Sequence, residues 1–336
     1  MLSRLRCGAP LSASVAIVLA LAAAPGCSPT QGAAPPTRHV RIATGIESGP
    51  YNRLGRALAG IYASRIPALT ASALETTGSG FNVRAVEDGQ AELGFVHADS
   101  VYLAVRQGTP DRPHPYRHLR AIAVLYGSAV QIAVLRSLGV QRLSDLERRP
   151  AGDWRPGFAR TPGALSSGTE SAAGIILQEL GLTDRVLAEP LAFDELTFRM
   201  AQREIDIGFF VSSYPNPALR KLNASSGIRL LSVPPELAIR IRTDFPFYRP
   251  IRIPAGTYEG QHAEIATIGV DNVLVCRDDL PDELVYRLTR TFFESLEALA
   301  DAHDAASEIE PDDASAAPIP LHPGAARYYR ERELFR

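Results

Sequence analysis

The segment "HVRIATGIESGPYNRLGRALAGIY" (His39–Tyr62) decides how the rest of the chain is read. "HVRIA" is a short apolar strand, and from Tyr51 onward Leu54, Leu58, Ile61 and Tyr62 fall at helical spacing. Between strand and helix lies a turn of small residues. Ser48 suits an N-cap, Gly49 permits a bend, and Pro50 fits the first helical turn, where its missing N–H costs nothing. Strand, tight turn and helix make the repeating unit of an α/β protein. The turn also has chemical meaning, because a helix N-terminus presents unpaired N–H groups and partial positive charge to an anion.

The unit recurs. "TTGSGFN" (Thr76–Asn82) places Thr, Gly and Ser between a strand and a helix, with Ser79 as the candidate cap. "GALSSGTE" (Gly163–Glu170) repeats the device with Ser166, Ser167 and Thr169, and "FFVSSYPNP" (Phe209–Pro217) is a weaker fourth case. Strands alternate with helices at short spacing before and after "LRAIAVLYG" and "VQIAVLRS", two long apolar strands with little between them. The pattern predicts an α/β protein of two lobes joined by crossing strands. In open α/β sheets the carboxyl ends of the strands face the ligand, so the repeated turns converge on one cleft between the lobes. A long loop is expected at 234–265, and "PDELVYRLTRTFFESLEALADAH" reads as one amphipathic helix. Glu87–Asp88 and Asp278–Asp279 read as solvated helix or turn positions.

Length and composition agree with two lobes. The 336 residues exceed what one core usually supports, and 46% hydrophobic content is ample for burial. The net charge of −2 shows no basic stripe, which argues against a nucleic-acid binder. Lys221 is the only lysine, a sign of genomic codon bias rather than of function.

The N-terminus reads as an export signal: Arg4 and Arg6, an apolar run from Leu11 to Ala24, then "APGCSPT". The run is shorter than the roughly 20 residues that a spanning helix needs. Cys27 stands where a bacterial lipobox carries its lipidated cysteine; simple cleavage near Ala22–Ala24 is the alternative. Residues 28–38, small and Pro-rich, read as a flexible tether. The expected organisation is therefore a signal over 1–27, the tether over 28–38, a first lobe over 39–128, a second over 129–270, and a return to the first over 271–336. Localisation follows as periplasmic, either free or as a membrane-anchored lipoprotein. Cys276, in "NVLVC", reads as a small core residue.

Catalytic signatures are missing. The sequence holds no Walker loop, no complete dinucleotide fingerprint after "GSGFNV", no nucleophile elbow, and no metal-binding pairing of its histidines. His97 beside Asp99 is the single acid–base pair, and it reads more simply as a structural histidine at a strand end. No cofactor and no metal are expected, and the chain does not read as an enzyme.

Five pieces in order, "IATGIESGPYNRLGRALA", "TTGSGFNVRAVEDGQAELGFVHAD", "LSDL…SSGTE", "IPAGTYEGQ" and "LHPGAARYYRE", resemble the TAXI family of solute receptors from TRAP transporters, over about 39–333. The resemblance implies a periplasmic-binding-protein fold of the second type that closes on a small anionic or zwitterionic solute, glutamate-like or dicarboxylate. It also implies TRAP membrane subunits as partners, driven by an ion gradient. Carried onto this chain, the family's binding turns fall on Thr44, Gly45, Ser48 and Tyr51, on Gly78, Ser79 and Asn82, and on Ser167, Gly168 and Thr169. The chain departs from the family at Ile46–Glu47, where a Gly-Gly pair is usual. A carboxylate there favours an amino acid over a second carboxylate. A ligand-sensing lipoprotein has the same fold requirements, and an exported enzyme would use the same cleft with His97 and Asp99.

Overall fold

The computed structural model describes residues 37–47, 49–109, 111–150, 154–159, 168–184 and 189–333. The signal, the lipobox Cys27, most of the tether, Ser48, Ser166 and Ser167 lie outside the described residues.

The first elements are β1 (Arg38–Ala43), α1 (Pro50–Arg65), β2 (Leu69–Leu74), α2 (Ser79–Glu87), β3 (Leu93–His97) and α3 (Ala98–Gln107). The long strand β4 (Leu119–Leu135) leads to α4 (Ser144–Glu147), β5 (Pro156–Ala159), α5 (Gly168–Glu179), β6 (Glu189–Leu191) and α6 (Phe193–Ala201). Then come β7 (Ile207–Ser212), α7 (Pro217–Ser226), β8 (Ile228–Leu231), α8 (Pro235–Asp244) and β9 (Tyr248–Ile253). A second long strand, β10 (Ile265–Arg277), is followed by α9 (Asp282–Phe293), α10 (Leu296–Ala302), a 3-10 turn at Asp304–Glu308, and α11 (Pro323–Glu331).

The strands form one sheet in the order β2-β1-β3-β10-β4-β7-β5-β6, with β8 beside β4 and β9 beside β10. Two parallel wings, β2-β1-β3 and β7-β5-β6, flank the antiparallel pair β4/β10. β10 pairs with β3 over Asn272–Cys276 and with β9 over Ile265–Val270. β4 pairs with β10 in its first part and with β7 over Ala129–Val134. β10 therefore borders the first wing and β4 the second, each paired to the other, and the protein is a two-lobed α/β fold with β4 and β10 as the crossing pair. The lobe limits expected at 128/129 and 270/271 fall inside these two strands.

Packing follows the alternation of the strands. α1, α9 and α11 cover Val40, Ile42, Leu93, Phe95, Leu274 and Cys276 on one side of the first lobe. Val83, Val86, Val96, Val273 and Val275 fill the other side. In the second lobe Leu196, Met200, Phe210, Leu219 and Leu222 pack together. Each such side chain removed from water stabilises the fold by about 1.5–3 kcal/mol.

Several expectations are corrected. "LRAIAVLYG" and "VQIAVLRS" are one continuous strand, β4. The supposed loop at 234–265 contains α8 and β9. In α8 the apolar residues Leu237, Ile239 and Ile241 alternate, which hides the helix; only Leu237 and Ile241 are buried, four residues apart. The C-terminal helix breaks at Glu294–Ser295 into α9 and α10. The tether ends before Arg38, which already pairs with Leu69. Glu87 is buried rather than solvated, its carboxylate accepting from the N–H groups of Arg117 and His118, both at 2.9 Å. Asp278 pairs with His118 and Arg120.

Candidate functional site

The turns that end β1 and β2 are tied to β3 by one side chain. Asn82, fully buried on α2, donates from Nδ2 to the carbonyls of Thr44 (2.5 Å) and Phe95 (2.7 Å). Its Oδ1 accepts from the Thr76 hydroxyl at 2.7 Å. The Thr44 hydroxyl in turn donates to the Leu74 carbonyl at 2.8 Å. Thr44 and Asn82 are thus spent on the scaffold. Their part in the site is to hold two turns in register with β3, because no polar atom of the Asn82 amide is left to face a cleft. Gly45 contributes its carbonyl, which accepts from Asn52 Nδ2 at 3.1 Å.

The helix starts differ from the capping expectation. The N-cap of α1 is Gly49, without a side-chain cap, and Pro50 opens the helix as expected. The N-cap of α2 is Gly78, again without a side-chain cap; its φ of +105° is the conformation that makes glycine necessary. Ser79 is the first helical residue and not a cap; its Oγ accepts from the N–H of His97 at 3.0 Å.

Tyr51 connects the first helix to the crossing strands. Its ring stacks on Phe95 at 5.5 Å and meets the edge of His97 at 6.1 Å. Its hydroxyl donates to Asn272 Oδ1 at 2.5 Å, and Asn272 Nδ2 donates to the Tyr126 carbonyl (2.7 Å) and to Ser128 Oγ (3.0 Å). Burial pushes the Tyr51 phenol well above its ordinary value, so it stays a donor. A continuous polar line therefore runs from α1 across β10 to β4.

A second polar line starts in the other lobe. Gln131 Nε2 donates to Ser212 Oγ at 2.9 Å, while its Oε1 accepts from the Tyr258 hydroxyl at 2.5 Å. Tyr258 also accepts from the N–H of Asn216 at 2.7 Å. Asn216 caps α7 and donates to Ser212 Oγ at 2.9 Å. Thr169, in the first turn of α5, is buried and accepts from the N–H of Val211 at 3.1 Å. Gly168 opens α5.

Of the expected site residues, Thr44, Gly45, Tyr51, Gly78, Ser79 and Asn82 gather at one edge of the first lobe, and Gly168 and Thr169 stand at the start of the second lobe's first helix. Asn272, Ser128, Gln131 and Tyr258 were not anticipated. The signal for two of them lay in the sequence: Asn272 and Gln131 are amides interrupting apolar strands, where a bare amide is costly.

His97 and Asp99 do not form an acid–base dyad. Asp99 is buried and accepts from Ser100 N–H at 2.6 Å and from its hydroxyl, and no hydrogen bond joins it to His97. Burial lowers the His97 pKa while the nearby Asp99 charge opposes the shift. Among the described residues, buried polar atoms without a partner include His97 Nδ1 and the hydroxyls of Tyr126 and Tyr248, all close to the crossing strands. Among the described residues no group of three His, Cys, Asp or Glu side chains is placed to hold a metal.

The same fold occurs in solved proteins of low sequence identity. The chain aligns with the periplasmic binding protein BugD at a TM-score of 0.54 and 11% identity, covering 89% of this chain and 95% of that one. It aligns with MatC from Rhodopseudomonas palustris, solved with bound malate, at 0.54 and 14%, covering 89% and 99%. A TctC solute-binding protein from Polaromonas gives 0.53 and 15%, covering 89% and 96%. The architecture is that of a two-lobed periplasmic binding protein. The model of the NMT1-like family matches residues 42–332, almost the whole described region, and the chain belongs to the NMT1-like family.

Proposed function

We propose that this protein is an extracytoplasmic solute receptor of the TRAP type, which captures a small carboxylate or amino acid between its lobes and delivers it to membrane subunits. The observation that supports this reading best is the polar line Tyr51–Asn272–Ser128, which brings the first helix of one lobe onto both crossing strands. A solute seated there touches elements that move when the lobes rotate about β4 and β10, so binding and closure are coupled. The start of α1, Ser79 and the start of α5 at Gly168–Thr169 supply N–H and hydroxyl donors suited to a carboxylate. Glu47, exposed in the first turn, favours a solute with an ammonium group. The MatC structure with malate shows that this architecture accommodates a small dicarboxylate in that protein. Export and lipid anchoring at Cys27 complete the proposal. The same cleft serves a sensing lipoprotein; an enzyme gains little support from an unpaired His97 and Asp99.

The test is a thermal-shift panel of small carboxylates and amino acids on protein starting at Thr37, unfolded, dialysed and refolded beforehand. A ligand at a hundred times its Kd adds about 2.7 kcal/mol, roughly 4 °C for a chain of this size. A shift confined to one chemical class supports the receptor, and Glu47→Gln should then weaken amino acids selectively. A blank panel on refolded protein overturns the proposal.

A further inference from the structure

Opposite the Tyr51–Asn272–Ser128 line, the crossing strands carry a second set of groups. Gly127 and Asp271 are cross-strand partners, each next in sequence to a residue of that line. Neighbouring strand residues point to opposite faces. A side chain at Gly127 would meet Arg249 Nη2 at once, which places the Arg249 guanidinium on the face away from Ser128. There Arg249, from β9, donates through Nε to Asp271. That is the single hydrogen bond its guanidinium makes among the described residues, so the two terminal nitrogens are free to take another acceptor.

Those nitrogens border a crevice of about 260 Å3 lined by Gly127, Tyr214, Arg249, Ile251 and Glu308. Tyr214 belongs to the turn after β7 in the second lobe, and Glu308 to the 3-10 turn after α10 in the first. Glu308 makes no ion pair within 4.0 Å among the described residues, although it lines the same crevice as Arg249 and feels that charge. The other charged groups near the crevice are Asp271, which also feels Asp313, and Arg252, which pairs with Glu264 at 2.5 Å.

We infer that Arg249 and Glu308 form a latch on the back of the hinge, which bridges the lobes in one of their two positions and thereby sets the open–closed balance. Bending a two-stranded hinge narrows the gap on one face and widens it on the other. A bridge from Arg249 to Glu308 shuts the rear crevice and so holds the solute cleft open. Breaking the bridge lets the cleft close. Glu308 is exposed on one side, yet its partial desolvation at the crevice raises the carboxyl above its ordinary value while the Arg249 charge opposes this, so acid neutralises Glu308 and releases the latch. Arg249 is a positioning residue here, with no contact to the solute. The inference rests on the receptor reading and adds closure control to it.

The test needs no solute. In protein starting at Thr37, which lacks Cys7 and Cys27, dyes on Ala63→Cys and Ala224→Cys, exposed positions on α1 and α7, report the lobe populations by single-molecule energy transfer, since Cys276 is fully buried. An exposed ion pair supplies a modest bias, so Glu308→Gln at pH 7.5 should change the population ratio by about two- to five-fold. The same shift should occur in the unmodified protein on acidification through the carboxylate range and be absent in Glu308→Gln. Glu310→Gln, an exposed acid outside the crevice, should leave the ratio unchanged. Arg249→Gln, which also frees Asp271, should shift the ratio in the same direction, and Glu308→Gln should add nothing further on top of it. An unaltered ratio in Glu308→Gln, a persisting acid shift in that variant, or an equal effect of Glu310→Gln overturns the latch. A failed latch with a solute-specific thermal shift leaves the receptor standing; an intact latch with a blank panel does the reverse.

Discussion

Asn82 offers the sharpest test of how the site is built. Replacing it with alanine removes two donors, to the carbonyls of Thr44 and Phe95, and the acceptor that holds the Thr76 hydroxyl. The side chain is fully buried, so solvent does not reach these groups without rearrangement. Three bonds at about 0.5–1.5 kcal/mol each, plus a buried carbonyl left short of a donor, amount to a loss of roughly 3–5 kcal/mol. Asn82→Asp should be worse at neutral pH, because a carboxylate would then face two carbonyl oxygens. Urea unfolding of protein starting at Thr37, followed by far-UV circular dichroism, measures the loss without any solute. Fluorescence of Trp154, the single tryptophan, reports the second lobe, where it is buried among Phe158, Ile176 and Leu177. The dichroism midpoint should fall, and the first lobe should lose structure before Trp154 responds. A loss below about 1 kcal/mol would refute the clasp, and if solute affinity also collapsed, Asn82 would be a direct contact.

Other perturbations test separate parts of the fold. Tyr51→Phe leaves Asn272 Oδ1 without its buried donor and should cost about 1–3 kcal/mol in urea unfolding, together with weaker solute binding; an unchanged midpoint would detach Tyr51 from the crossing strands. Gly324→Ala places a methyl group 2.2 Å from the Asp282 carbonyl and 2.8 Å from the Tyr286 nitrogen, backbone atoms that cannot swing aside. It should cost at least about 1–3 kcal/mol by the same assay. His322 is fully buried, and its Nδ1 accepts from the Gly324 N–H, so it must be neutral. Burial holds its pKa below the ordinary 6.5, so the unfolded chain takes up the proton first. Stability from this residue is complete above pH 6.5 and is lost as pH falls through and below that value. His322→Asn should flatten that slope between pH 7 and 5, and an unaltered slope would remove His322 from the pH response.

Local signals made most elements legible. Regular alternation in "HVRIA" and helical spacing from Leu54 to Tyr62 each need only near neighbours, and β1 and α1 follow them. Asn216 and Pro217 announce the start of α7 for the same reason, since a cap is made within three residues. α8 was not legible, because the burial of Leu237 and Ile241 depends on the helix they pack against and not on their own spacing.

The site divides along the same line. Sequence located the turns, because glycine, serine and threonine at strand ends carry their own conformational and hydrogen-bonding preferences. It did not reveal which of those groups stay free. Asn82 is committed to Thr44, Thr76 and Phe95, and Tyr51 reaches Asn272, 221 positions away along the chain. Arg249 crosses bare Gly127 to pair with Asp271, an arrangement set by the register of β9, β10 and β4. Sequence by itself determined the strand–turn–helix units and where donors gather at their ends, because these are matters of a few adjacent residues. Tertiary structure alone decided which donors are spent on the scaffold and which charges meet at the hinge, because a hydrogen bond consumes a partner that only the folded chain brings near.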